Sequence, residues 1–448
     1  MSLAGKIMRS QWRRPAIAAA LSLLTVVLLL SACARHVAAS SHSPRELGRI
    51  TFTAAGDVIP HQAVREAAAA AAAPGNHEGW DALFADVADL FRAADYGFVN
   101  FETPLAPDSS HGTRAFLFNA PLPLADSLYA NGVRVVSFAN NHVFDQGHAG
   151  FAESLGRLQK AGLLYVGAAP NAQDELKPLI LEKNGVRVGW LGATRWLNGG
   201  RNPEDARVPH VAFLPYTDAG DGAPGLTEEQ FLAGVAAARQ QCDLLIVSIH
   251  WGVEYAPAPR PQDSELAHKI LDAGASLILG HHPHVLQPVE TYRTKDQRNA
   301  VVFYSLGNFL SNQSRNYVNG LMPDKEGDPR DELIVRFSVI KKDYGPAGIQ
   351  TELGDVGIYP VWMENNRLAL GSGADARPSI HPVLIDREIP RLEASLAALQ
   401  KLPQPLEAKS KAELLRLNKQ LELLQHRREL LLERTGDEFL ALPPAPAR

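Results

Sequence analysis

The chain is poor in cysteine: 448 residues hold two, Cys33 and Cys242. A disulfide framework is therefore excluded as the main source of stability, and the fold must rest on its core. Cations are not in excess either. Lysine and arginine number 44 against 49 acidic residues, a formal net charge of -5. With no dominant basic block, nothing points to a nucleic-acid partner. The apolar run Ala16–Leu30 falls short of the roughly 20 residues that a membrane-spanning helix needs. What remains is an ordinary globular balance, 46% hydrophobic and 21% charged. The length suffices for one large or two medium domains.

The short apolar run has a meaning of its own. Lys6, Arg9, Arg13 and Arg14 precede it, and Leu30-Ser31-Ala32-Cys33 closes it. A cationic start followed by a short apolar stretch is the layout of an export signal. Its end resembles the bacterial lipobox, which implies cleavage before Cys33 and a lipid on that thiol. Residues 1–32 then form a lipoprotein signal peptide and residues 33–48 a polar tether. The expected protein is exported and anchored to a membrane through Cys33 rather than spanning it. Ala34 stands where an Asp would favour inner-membrane retention. In a Gram-negative cell the expectation is a periplasmic face of the outer membrane.

Beyond the tether, helical and strand periodicities alternate. Ile50–Ala55 reads as a strand ending in Gly56-Asp57, Tyr96–Phe101 as one ending in Glu102, and Val133–Ala139 as one ending in Asn140-Asn141-His142. Residues from Trp80 to Phe91 recur at helical spacing. Pro178–Glu182 and Val186–Ala193 predict a hairpin around Asn184-Gly185. Residues 195–225 form a long loop rich in Gly, Pro, Asn and Asp. Asp243–Ile249 is a near-continuous apolar strand ending in His250, and Ala275–Leu279 is one ending in Gly280-His281-His282. From Ile389 to about Arg434 the pattern becomes a leucine-rich amphipathic helix or helical pair, which packs on the main domain or offers a self-association surface. Strands alternating with helices, several of them wholly apolar, predict an α/β fold with buried sheets. Residues 49–365 form the main domain and 366–448 a C-terminal helical extension.

In open α/β sheets, ligands bind beyond the carboxyl ends of the strands. Here those ends carry Asp57, Glu102, Asn141-His142, His250 and His282-x-His284. Carboxylate, amide and imidazole together are the donor set of divalent metals. Extended backbone would put His282 and His284 on one side of the chain and His281 on the other. Asp145 either orients the His142 ring or caps the helix after Gly147. Glu254 is either a ligand or substrate contact or a structural acid.

The motifs Ala55-Gly56-Asp57-Val58, Val99-Asn100-Phe101-Glu102-Thr103-Pro104, Ala139-Asn140-Asn141-His142, His250-Trp251-Gly252-Val253-Glu254, Gly280-His281-His282-Pro283-His284-Val285 and Tyr304-Ser305-Leu306-Gly307-Asn308-Phe309 stand in this order. In them the sequence resembles the CapA family, the poly-γ-glutamate capsule-biosynthesis proteins of the calcineurin-like metallophosphoesterase superfamily. The resemblance implies two packed β-sheets flanked by helices, a four-layer sandwich, with one or two divalent ions (manganese, iron, zinc or magnesium) between them. It implies Glu102 as the bridging carboxylate, Asn141, His250 and His282 on one metal, Asp57 and His284 on the other, and His142 as the acid. Asn140, His281 and Asn308 are expected to support the site. Ile59 stands where the superfamily usually has His, which leaves one metal short of an imidazole unless His61 reaches in. The implied function is a phosphoesterase-like hydrolase acting on a phosphoester or on an anionic envelope polymer such as poly-γ-glutamate. The alternative is a non-catalytic scaffold that binds polymer or capsule synthesis and export partners.

Overall fold

A computed structural model describes residues 43–216, 224–370, 377–403 and 407–443. The proposed signal peptide, Cys33 and most of the tether lie outside the described residues. Residues 46–341 and 351–448 form one compact unit.

Among the described residues sixteen strands follow in chain order: β1 (Arg45–Val58), β2 (Tyr96–Phe101), β3 (Val133–Ser137), β4 (Leu164–Val166), β5 (Ala168–Ala169), β6 (Leu179–Lys183), β7 (Val186–Thr194), β8 (His210–Val211), β9 (Leu244–His250), β10 (Ala275–His281), β11 (Val289–Arg293), β12 (Asn299–Phe303), β13 (Asn308–Leu310), β14 (Asp331–Asp343), β15 (Ile349–Asn365) and β16 (Ile380–Leu384). An 8-stranded sheet has the order β16-β15-β14-β1-β2-β3-β4, with β13 added alongside β1. A 6-stranded sheet has the order β11-β12-β10-β9-β7-β6. β1, β2, β3 and β4 are mutually parallel, as are β7, β9, β10 and β12.

The apolar strands are buried on both faces because successive side chains point to opposite sides. Phe52, Phe98 and Val135 from the larger sheet meet Trp190, Ile246 and Leu279 from the smaller in one core between the sheets. Their neighbours Val99 and Val136 turn outward to the helices α1 (Gln62–Ala70), α2 (Leu122–Ala130) and α3 (Gly147–Lys160). On the other side Leu245, Val247 and Ile278 turn outward to α4 (Glu228–Arg239) and α5 (Pro261–Asp272). The result is a helix–sheet–sheet–helix sandwich, as the strand patterns and the resemblance imply. α4 begins with a capping box in which Thr227 and Gln230 satisfy each other's backbone N–H groups.

Some elements differ from expectation. The helical run from Trp80 to Phe91 is two one-turn helices, Trp80–Phe84 and Ala88–Arg92, broken where Val87 takes φ -124°. Asn308–Leu310, at the end of the Tyr304–Phe309 motif, forms a short strand that pairs in parallel with β1. The C-terminal region contributes β16, antiparallel to β15, before its helices α6 (Ile385–Gln400) and α7 (Ala408–Thr435) begin. These two helices bury Leu392, Leu396, Leu417 and Leu424 against Trp362, Val383 and Tyr317. No helix among the described residues is long and apolar enough to cross a membrane.

Candidate metal centre

The strand ends converge. In the larger sheet Asp57 on β1 is in register with Asn100 on β2 and Asn308 on β13, and Asn100 with Ser137 on β3. In the smaller sheet His281 on β10 is in register with His250 on β9. Two glycines make the approach of the backbones possible. A Cβ at Gly56 would sit 1.9 Å from the Gly307 carbonyl oxygen, and one at Gly280 would sit 2.1 Å from that of Tyr304. Each glycine immediately precedes a site residue, Asp57 or His281.

Three groups of side chains offer ligand atoms within 4.8 Å of one another: Glu102, His250 and His282; Asp57, Glu102 and His284; and Glu254, His282 and His284. Glu102 is common to the first two. His284 Nδ1 lies 3.0 Å from Asp57 Oδ2, and His281 Nδ1 lies 3.4 Å from Asp57 Oδ1. His250 Nε2 lies 3.0 Å from the side-chain oxygen of Asn141 and 3.7 Å from Glu102 Oε1. Asn141 thus joins the first group through His250.

His282 and His284 do converge, but not through extended backbone. Their φ values are 95° and 58°, the left-handed region that non-glycine residues enter at a cost of order 1–3 kcal/mol. The turn on either side of Pro283, rather than strand alternation, aims both rings at the cluster. His281, the last residue of β10, is fully buried beside Asp57 and against the Phe98 ring.

The electrostatics favour a cation. Burial pushes the Asp57 carboxyl up, but hydrogen bonds and charge from His281 and His284 outweigh it and hold it well below the usual carboxylate range. Burial, then the charges of Asp57 and Glu254, push Glu102 well above that range. Burial and the neighbouring His282 hold His250 well below the ordinary imidazole value. Burial and His284 push His282 down to about 3. Neutral imidazoles keep a nitrogen lone pair free for a metal. Glu102 Oε1 and His282 Nδ1 are buried without a hydrogen-bond partner among the described residues. Orphaned buried groups cost about 1–3 kcal/mol each, and a divalent ion would satisfy both. The residues present therefore fit a metal.

Around the cluster, His142 Nδ1 lies 2.9 Å from Asp145 Oδ2, which also accepts from the Phe118 backbone N–H at 2.6 Å. Asp145 is bonded to the ring, and the N-cap of α3 is Gln146, whose side chain makes no capping bond. Asn140 donates to the Phe101 carbonyl and accepts from the His142 backbone N–H, which fixes the turn that carries His142. Asn308 donates to the carbonyls of His284 and Pro329, so it holds the His284 turn. His61 belongs to none of the three ligand groups. Its ring packs edge-on to Phe118 and accepts from the Asn312 backbone N–H. Ile59 is buried and offers no donor, whereas the exposed Glu254 reaches His282 and His284.

Asn100 was not singled out from the sequence. It donates to Asp57 Oδ1 at 2.7 Å and to Glu102 Oε2 at 3.3 Å, and so holds the two carboxylates together. The signal was available, since Asn100 and Glu102 are two apart at the end of one strand. Asn198, whose side-chain oxygen accepts from Asn141 at 3.3 Å, comes from the long loop and had no such signal.

A family profile described as bacterial capsule synthesis protein PGA_cap matches residues 51–313, more than half of the chain. The chain belongs to this family. Every ligand candidate named above lies within the matched residues. The chain is 31% identical over 306 residues to "Capsule biosynthesis protein CapA" of Bacillus anthracis, covering 66% of this chain and 68% of that one. It is 34% identical over 239 residues to "PGA biosynthesis protein CapA" of Bacillus subtilis, covering 53% of this chain and 58% of that one. A "probable polyglutamine synthesis accessory protein" of Mycobacterium tuberculosis is 29% identical over 45% of this chain and 53% of its own length. The PGA_cap chain thus spans between about half and two thirds of these relatives.

Proposed function

We propose that this PGA_cap chain is a metal-dependent, phosphoesterase-like hydrolase of the cell envelope. It acts in synthesis, transfer or release of an anionic polymer such as poly-γ-glutamate, in line with the names of its relatives. The observation that carries the reading is Glu102, a fully buried carboxylate common to two ligand groups at the meeting of both sheets.

One or two divalent ions held by Asp57, Glu102, Asn141, His250, His282 and His284 would polarise a phosphoryl oxygen and offset charge developing on it. Asn100 fixes the spacing of the two carboxylates. Glu254 supplies an oxygen near His284 in place of the imidazole that Ile59 does not offer. His142 lines the groove over the cluster with Nδ1 held by Asp145, which leaves Nε2 to give a proton to a departing oxygen. Asp145 orients that ring through this bond. Lipid on Cys33 would hold this centre at a membrane.

The test is the metal content of the purified full-length chain, paired with its turnover of a generic phosphodiester. Bound metal with turnover that vanishes on chelation supports the reading. Bound metal with no turnover of phosphodiester or polymer favours the scaffold, to which the missing imidazole at Ile59 also points.

A further inference from the structure

The loop after β7 touches the ligand candidates at two points. The side-chain oxygen of Asn198 accepts from Asn141 Nδ2 at 3.3 Å, and the Trp196 ring stands 6.2 Å, centroid to centroid, from that of His282. Among the described residues the Asn141 side chain has one other hydrogen-bond contact, its Oδ1 at 3.0 Å from His250 Nε2. Asn198 and His250 therefore take opposite ends of one amide. Those ends are not equivalent to a cation. Oδ1 carries lone pairs and Nδ2 carries two N–H donors, so the amide can act as a ligand in one of its two orientations and not in the other.

The loop is built to hold Asn198 in place. The Gly200 N–H donates to the Leu197 carbonyl at 2.7 Å, and the two residues between them, Asn198 and Gly199, have φ 49° and 78°. Asn-Gly with both φ values positive is the pattern of a tight type I′ turn. Leu197 is buried in the core that also holds Val143 and Phe151. Before it, Trp196 Nε1 donates to the Gly252 carbonyl at 2.9 Å, two residues beyond His250. The turn is thus fastened on the side of both ligand candidates that Asn198 serves.

We propose that Asn198 is a positioning residue of the metal centre: it fixes which end of the Asn141 amide faces the cluster, and so sets the affinity of the ion that Asn141, His250 and His282 would hold. The inference rests on reading the cluster as a metal centre.

The test is calorimetric titration of the purified full-length chain with manganese(II) and with zinc(II), with the unfolding midpoint of the metal-free protein measured in parallel. Asn198→Gly keeps the turn, which Gly suits as well as Asn, and removes only the acceptor. Asn198 is exposed, so water takes over part of its bond. The variant should therefore bind the ion about three- to tenfold more weakly, the worth of one net hydrogen bond, at an unchanged midpoint. Asn198→Asp keeps both the turn and an acceptor oxygen and should bind at least as tightly as wild type. In a chain that already carries Asn141→Ala no amide remains to be aimed, and Asn198→Gly should add no further loss. Wild-type affinity in Asn198→Gly would overturn the inference. So would an equal loss in Asn198→Asp, or the same loss with the Asn141 amide already removed. A wild type that binds neither ion would overturn the metal centre and the inference with it, whereas equal binding by wild type and Asn198→Gly would leave the metal centre standing.

Discussion

Asn141 and His142 are adjacent in the chain but face different tasks. Asn141 stands 3.0 Å from His250 Nε2, among the ligand candidates. His142 is tied to Asp145, outside the three ligand groups. His282→Ala removes an imidazole ligand and should lower metal content most, Asn141→Ala less. His142→Ala should keep metal near wild type while turnover falls roughly 10²–10⁴-fold, the usual range for loss of a general acid. Metal titration and phosphodiester kinetics on the three variants check this, and loss of metal in His142→Ala would make that residue a ligand. His61 supplies a pH prediction. Burial, then the charges of His284 and His142, push its ring from the ordinary 6.5 down to about 4. Below pH 6.5 the unfolded chain takes up a proton that the folded chain refuses until about pH 4. The stability present above 6.5 is therefore lost as pH falls through this window. The ceiling is about 1.4 kcal/mol per pH unit, reduced here because the ring is partly exposed. Between pH 7 and pH 5, wild type should lose more stability in denaturant titrations than His61→Gln. Equal losses would show that another group sets the acid response.

The elements divide the work between aiming the site and holding it. β1, β2, β9 and β10 end at the ligand candidates, and β13 closes on Asp57 from the side. α7 acts from behind. Arg427, fully buried, reaches across to β14, with Nε 3.0 Å from Asp331 Oδ1 and Nη2 2.8 Å from Asp328 Oδ1. Arg434 Nη2 lies 2.7 Å from Asp328 Oδ2. Removing one partner of a buried ion pair strands the others and costs about 3–5 kcal/mol. Arg427→Ala should lower stability by about that much in denaturant unfolding, and a change under about 1 kcal/mol would mean that α7 is held by leucine packing alone. A chain ending near residue 385 loses this anchor and the leucines over Trp362. It should be insoluble or lack a cooperative transition, although every ligand candidate is retained. A soluble, metal-binding fragment would show that the tail is accessory.

At the scale of the whole molecule, the Leu30–Cys33 sequence and the polar segment after it motivate an anchor that places the site a short tether from a membrane. Cys33→Ser should abolish lipid labelling and release the protein from the membrane fraction. Unchanged labelling and retention would refute lipidation at Cys33.

Much of this was legible in one dimension. Val135-Val136 and Leu244-Leu245-Ile246 announce strands buried on both faces, because period-two alternation is a local property of the chain. The polar residues that end those strands are brought together in one cluster. Other features were decided only in three dimensions. The left-handed turns at His282 and His284 depend on Pro283 and on the carbonyl that Asn308 holds. Whether Asp145 caps a helix or orients His142 depended on where Phe118 came to lie. The tail's docking through Arg427 joins residues 96 and 99 positions apart. An arginine-lined cavity gathers residues 65, 114, 315 and 367 from separate loops and helices. Periodicity reports which face of its own element a side chain takes. Which elements then meet is set by the parallel crossovers and by the packing of one sheet on the other.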